Sequence, residues 1–282
     1  MVLMITTTAF ALLCGAALGV FVAAVCLGVC VLYATLWHLA RGVPANTRVV
    51  PLESVNWRTG DIVITTHYND DFSDVVKKRM PNHAGLVWVH PDHGTCIVET
   101  GYLPFASTNE PVCVIANACT FDGTRVTKLA DYVRAYPYLC LYHRPYLGPC
   151  ISSTDFAVVV NAAMLVPFEP LLSSKIHAGF YVGVGMISMA PPFGHVGKML
   201  VGTARSNAAM SNTNTNTNAL QGVICSELIV QMLQALGVID SDADAMLTPT
   251  GLASPSGCLD RIAGGKWGTE HRVTTRHETH PP

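Results

Sequence analysis

The chain has 282 residues, which is enough for one domain of moderate size with its own core and an appendage. Charged residues make up 13% of it, against ~25% in an average globular domain, while hydrophobic residues make up 50%. The formal net charge is -2, and the 17 Lys and Arg are scattered along the chain, which excludes a nucleic-acid-binding stripe.

Much of the apolar excess lies at the amino terminus, where no Asp, Glu, Lys or Arg precedes Arg41. The apolar run Ala9–Leu39 exceeds the ~20 residues that a helix needs to cross a bilayer, so it predicts a transmembrane anchor over residues 1–39. A cleaved signal peptide is less favoured, because the run is too long and no basic residue precedes it. Arg41 and Arg48 follow the run, so the positive-inside bias predicts a single-pass protein with the bulk of the chain in the cytosol. The lipid bilayer is then an expected partner.

Residues 40–50 are predicted to form a linker, and several short strands are predicted after it. These strands are β-branched or apolar runs bounded by turn residues: Gly60–Thr66, His83–Val89, Thr95–Thr100 and Leu139–Arg144. Two helices are predicted over Leu129–Tyr136 and Ser152–Val166. The second has a Ser or Thr cap and Asp155 in its first turn.

The carboxyl-terminal half contains an insert, a helix and a tail. Residues 178–220 form an insert of unknown role that includes the polar, low-complexity stretch Ser211–Asn218. The next segment predicts a helix, with Gly237 as its stop and one apolar face made of Leu228, Ile229, Met232, Leu233 and Leu236. Residues 266–282 have nothing with which to build a core and are predicted to be disordered. Residues 51–265 remain as the folded domain.

Cys225 stands at the start of this helical pattern, in the sequence GVICSELIVQMLQALGV over residues 222–238. A thiol at a helix N-terminus lies near the positive end of the helix dipole and near free backbone N–H groups. Both favour the thiolate, and the N–H groups can also hold a developing oxyanion. The alternative is a small core residue, since free cysteine is among the most buried residue types.

A cysteine nucleophile needs a base, and the stretch NHAGLVWVHPDHGTCIVETG over residues 82–101 offers one in a predicted β-hairpin. Its PDHG segment suits a three-residue loop with Gly94 in the left-handed conformation. A loop of odd length places His83 and Glu99 on one face, where the carboxylate can orient the imidazole. With a loop of even length the two side chains would face opposite sides. The alternatives are a hydrogen-bonded edge histidine and a solvated strand end.

A zinc site built from His90, His93 and Cys96 is a weaker alternative. Its spacing of i, i+3 and i+6 is conceivable, but the sequence offers no fourth ligand and no C-x-x-C. We therefore expect neither a metal nor another cofactor.

Four segments in order (TGDIVITTHYNDD, NHAGLVWV, CIVETG and ICSELIVQML) resemble the YaeF/YiiX-type branch of the NlpC/P60 superfamily. These are circularly permuted papain-like cysteine hydrolases, related also to lecithin:retinol acyltransferase and to a poxvirus protein. The resemblance covers residues 57–237 and departs from the family pattern at the long insert. It implies an α+β fold, a permuted papain-like antiparallel sheet packed with helices.

The resemblance also implies a Cys-His-Glu triad of Cys225, His83 and Glu99. The expected function is that of a membrane-anchored cysteine hydrolase or acyltransferase acting on amide, ester or thioester bonds. Its substrate would be a peptide or a lipid acyl group, and the intermediate would be a thioester. The alternative function is that of a catalytically inactive, membrane-associated binding or structural protein, such as a viral component, which retains the fold.

Overall fold

The computed structural model describes residues 47–66, 83–102, 113–115, 122–135, 140–165, 225–241 and 249–274, together with Pro81 and part of residues 16–44. The predicted insert, residues 178–220, lies outside the described residues, as do residues 275–282 of the predicted tail.

The described residues contain one mixed sheet of eight strands in the order β1-β8-β7-β2-β3-β4-β6-β5. The strands are β1 (Val49–Pro51), β2 (Ile62–Thr66), β3 (His83–His90), β4 (Gly94–Tyr102), β5 (Cys113–Ile115), β6 (Asp122–Lys128), β7 (Cys140–Arg144) and β8 (His271–Thr274). Neighbouring strands are antiparallel, except that β1 and β8 run parallel. The four strands predicted from the apolar runs are all present, in β2, β3, β4 and β7.

Four α-helices follow residue 47 in the described part of the chain: α1 (Leu129–Ala135), α2 (Ser153–Ala163), α3 (Cys225–Ala235) and α4 (Cys258–Ala263). Short 3-10 helices cover Leu52–Ser54, Pro249–Leu252 and Ser254–Ser256. The predicted cap of α2 is confirmed, because the Ser152 hydroxyl accepts a hydrogen bond from the Asp155 N–H at 3.4 Å. Gly237, the predicted stop of α3, has a φ of 65°.

Both faces of the sheet are covered because successive strand residues point to opposite sides. The larger core lies on one face, where Ile62, Leu86 and Val98 pack with α2, α3 and α4. On the other face Val63, Val87, Ile97, Leu141 and Val273 pack with α1. The strands are therefore apolar on both sides and are held rigidly, so side chains at the strand ends have fixed positions.

The predicted transmembrane anchor over residues 1–39 is wrong by the structure. Among the described residues, no helix is long and apolar enough to cross a bilayer. The expected single-pass membrane topology, and the localisation drawn from it, lose their basis. The apolar run has the composition of a span, but an apolar composition does not by itself determine the length of a helix.

Two segments predicted to lack regular structure contribute strands. His271–Thr274, in the predicted disordered tail, forms β8 between β1 and β7. Part of the predicted linker forms β1, whose Val50 pairs with Val273. Val273 is almost completely buried against Leu141 and Val63, so one apolar residue anchors a strand whose other positions are polar. A single apolar residue is too weak a signal for a sequence pattern to detect.

Candidate active site

The β3–β4 hairpin brings two of the predicted site residues together. His90 pairs with Gly94, so the loop has three residues, and Gly94 has a φ of 73°. This is the odd-length, left-handed loop predicted from PDHG. The His83 Nε2 atom consequently forms a hydrogen bond with the Glu99 Oε2 atom, although sixteen positions separate the two residues.

Glu99 is completely buried and also has a second partner. Its Oε1 atom accepts a hydrogen bond from the Arg125 Nε at 2.7 Å, and Arg125 lies directly opposite Glu99 on β6. Burial alone would raise the pKa of Glu99. The attraction of Arg125 and then of His83, with their hydrogen bonds, outweighs burial and lowers that pKa from 4.5 to about 2. Glu99 is therefore an ionised carboxylate held between two donors.

Cys225 is the first residue of α3, which packs against β3 and β4. Its side chain forms a hydrogen bond with that of His83 and is 8% exposed. The position places the sulfur at the helix N-terminus, where the backbone N–H groups and the helix dipole favour negative charge. The structure thus brings all three predicted side chains into one chain of contacts, from Cys225 through His83 to Glu99.

These contacts change the pKa of His83. Burial alone would lower the pKa of His83. The charges of Cys225 and Glu99, together with hydrogen bonds to both, raise it from 6.5 to about 10. His83 is therefore protonated at neutral pH, and an imidazolium beside a cysteine sulfur favours the thiolate. A positioned imidazolium next to a sulfur is what nucleophilic cysteine catalysis requires.

Arg125 was missed in the sequence. It lies on β6, which the apolar patterns did not detect, because its sequence DGTRVTK contains one apolar residue, Val126, among polar and charged ones. A signal was present, since β-branched residues at alternate positions favour a strand. The pairing of Arg125 with Glu99 depends on strand register between segments that are distant in sequence, so the sequence pattern could not supply it.

The alternative zinc site does not form. Cys96 is completely buried in β4, where it packs in the larger core, whereas His93 is an exposed turn residue. Within the described residues, no three His, Cys, Asp or Glu side chains are placed to hold a metal ion.

Comparison of the chain with protein-family models, with curated proteins and with solved structures finds no match. The similarity to NlpC/P60 proteins therefore rests on the sequence segments themselves and stays a prediction.

Proposed function

We propose that the chain is a thiol hydrolase or acyltransferase that acts on amide, ester or thioester bonds. The observation that supports this most directly is the contact chain from Cys225 through His83 to Glu99. A buried carboxylate that orients an imidazole, which in turn contacts a thiol, is the general arrangement of an activated nucleophile. A protonated His83 also distinguishes this site from a structural cysteine, because inert buried cysteines lie in apolar surroundings.

The proposed reaction begins with attack of the Cys225 thiolate on the carbonyl carbon of the substrate. The carbonyl oxygen takes up the negative charge, which backbone N–H groups at the start of α3 can stabilise. Glu99 is bonded to the Nε2 atom of His83, so in the proposed reaction the Nδ1 atom exchanges protons with the sulfur and the leaving group. His83 gives its proton to the departing amine, alcohol or thiol as the carbon–heteroatom bond breaks. The product of this step is a thioester on Cys225.

The second step regenerates the thiolate. The neutral His83 accepts a proton from the incoming acceptor, which attacks the thioester carbonyl carbon, and the carbon–sulfur bond breaks. Water as the acceptor gives hydrolysis, whereas an alcohol or an amine gives acyl transfer. Glu99 holds the imidazole through both steps and stabilises its protonated form. Arg125 in turn keeps Glu99 ionised, so we assign Arg125 as a positioning residue.

The test is labelling of the full chain with an electrophilic acyl probe, with mass spectrometry to identify the modified residue. We expect one modified residue, Cys225, with labelling abolished in Cys225→Ala and greatly slowed in His83→Ala. Cys258 supplies a matched control, because it is also a buried cysteine at the first position of a helix, α4. Cys258→Ala should label like the wild type.

The alternative, a catalytically inactive binding or structural protein, predicts the opposite pattern. In that case Cys225 would react no faster than Cys258, and His83→Ala would leave the labelling rate unchanged. Either result would end the proposal of catalysis at this site.

A further inference from the structure

A second cluster of titratable side chains lies at the opposite end of β2 from His83. Asp61, immediately before β2, is completely buried, and His143 on β7 is almost so. The Asp61 Oδ2 atom is 2.7 Å from the His143 Nε2, and the His143 Nδ1 is 2.9 Å from the Nε2 of His271 on β8. These contacts form a continuous relay from a buried carboxylate through two imidazoles, and the Cys225 site uses none of its members.

The hydrogen bonds of Asp61 determine where the protons of this relay lie. Its carboxylate accepts from the backbone N–H of Arg58 at 2.8 Å and of Tyr146 at 2.7 Å, in addition to His143. The His143 Nε2 atom therefore carries a proton, and one further proton lies between His143 and His271. When both rings are neutral, the Nδ1 atom of His271 is a free acceptor. One added proton turns this atom into a donor.

A cavity of about 280 Å³ opens beside the relay. The residues that line it include Arg48, Asn56 and His271, whose side chains can donate hydrogen bonds, and no lining residue is acidic. His143 forms part of the wall, with Trp57 packed against its ring at 4.5 Å between centroids. The volume lies just below the ~300–1,000 Å³ of most ligand pockets, which suits one small group.

The charges of the residues around the cavity indicate which kind of ligand it would bind. Burial, the neighbouring His143 and the positive charge of Arg48 together lower the pKa of His271 below 6.5, while Asp61 alone opposes them. Glu270, the preceding residue, is turned away, since its carboxylate accepts from the Ser254 N–H at 3.0 Å. Arg48 and His271 both line the cavity, and their side chains repel each other when both are charged. An anion between them would remove that repulsion.

We propose that this cavity binds a small oxyanion, a carboxylate or a phosphate group, between Arg48 and His271. Oxygen atoms of the ligand accept hydrogen bonds from the Arg48 guanidinium, from the Asn56 amide and from the protonated His271. Binding takes up a proton at His271, so affinity increases as the pH falls. The site is separate from the proposed catalytic function, and either can fail without the other.

The test uses sulfate and acetate as probes, because both keep nearly the same charge between about pH 5.5 and about pH 7.5, on either side of the ordinary histidine pKa of ~6.5. Each is titrated into the full chain while NMR follows the histidine ring signals. We expect binding that is at least about threefold tighter at the lower pH. Preference for sulfate would indicate a phosphate ligand, and preference for acetate a carboxylate ligand.

Variants decide whether binding occurs in this cavity. Arg48→Gln should weaken binding about tenfold or more, since a charge-assisted hydrogen bond is lost, and Asn56→Ala should weaken it less. His271→Gln should remove the pH dependence. Arg134→Gln is the control, because Arg134 is an exposed arginine on α1, where it pairs with Asp131. Absence of binding by both probes, or wild-type affinity in Arg48→Gln and Asn56→Ala, would overturn the proposal.

Discussion

Replacement of Glu99 by Gln tests the electrostatics of the candidate active site most directly. The substitution keeps the shape of the side chain but removes the buried negative charge beside His83. In the wild type the pKa of His83 is raised from 6.5 to about 10. At ~1.4 kcal/mol per pKa unit, the protonated imidazole is favoured by roughly 5 kcal/mol. Cys225 and Glu99 share this effect, and Cys225 contributes more. We expect Glu99→Gln to lower the pKa of His83 by roughly 1–3 units.

The assay is an NMR titration of the full chain labelled at the histidine Cε1 positions, from about pH 5 to about pH 10.5. The resonance of His83 is assigned by its loss in His83→Gln. The wild-type signal should keep the chemical shift of an imidazolium through neutral pH, and the Glu99→Gln signal should titrate at lower pH. A wild-type midpoint near 6.5, or the same midpoint in both proteins, would refute the assignment of Glu99 as the residue that stabilises the protonated ring.

A loss of stability must be separated from the loss of this charge effect. Glu99→Gln also deprives Arg125, whose side chain is only 11% exposed, of the carboxylate that neutralises it. Breaking a buried ion pair at one partner commonly costs ~3–5 kcal/mol. The double variant Glu99→Gln/Arg125→Met removes both charges and should recover much of the unfolding free energy. The double variant should not restore the raised pKa of His83. If Glu99 had a purely structural role, recovery of stability would be accompanied by recovery of this pKa.

Three further predictions concern the stability of the fold. Because the pKa of His83 is raised, its protonation stabilises the folded state fully below pH 6.5, and this contribution is lost as the pH rises toward about 10. The unfolding free energy, measured by urea titration, should therefore fall over that range in the wild type. It should fall much less in His83→Gln. Because the pKa of Glu99 is lowered, its ionised form stabilises the fold above pH 4.5, and this contribution should be lost as the pH falls toward about 2. If the unfolding free energy fell equally with acid in Glu99→Gln, the result would contradict the ion pair. Gly85→Ala should lower the unfolding free energy by ~1–3 kcal/mol, because the added methyl group would overlap the Ile97 side chain and approach the Val98 carbonyl oxygen at 3.1 Å. A double-mutant cycle with Ile97→Ala, which removes both overlapping side-chain atoms, should show partial rescue, and purely additive effects would rule out this contact as the cause.

The sequence predicted the local part of the candidate site because local physics determines it. The loop PDHG determines the loop length, and the two-residue period of a strand then places His83 and Glu99 on one side. The apolar spacing after Cys225 likewise predicts a helix that packs on the sheet and starts at the thiol. What the sequence could not supply is the meeting of Cys225 with His83, which depends on how α3 packs across β3 and β4 in three dimensions.

Register and burial account for the failures. Arg125 reaches Glu99 only through the pairing of β4 with β6, and the strand signal of β6 is weak because the strand contains one apolar residue, Val126. β8 is held by one buried residue, Val273, in a tail that otherwise looks unstructured. The amino-terminal run is the converse case, because a high apolar content does not by itself predict a long helix. An apolar composition indicates that a segment avoids water, but it does not determine the length of the helix that the segment forms.

The two carboxylate–imidazole pairs in the described part of the chain differ in what else the carboxylate binds, and that difference separates their roles. Asp61 accepts hydrogen bonds from two backbone N–H groups, those of Arg58 and Tyr146, so its charge holds the loop before β2 against the segment just after β7. Among the described residues, Glu99 accepts only from side chains, those of His83 and Arg125. Removal of the charge on Asp61 should therefore disturb the chain path. Removal of the charge on Glu99 should instead change the protonation of an imidazole beside a thiol. Glu99 contacts the imidazole of His83, which contacts the sulfur of Cys225, so the charge of Glu99 acts on the protonation of the site and not on the path of the backbone.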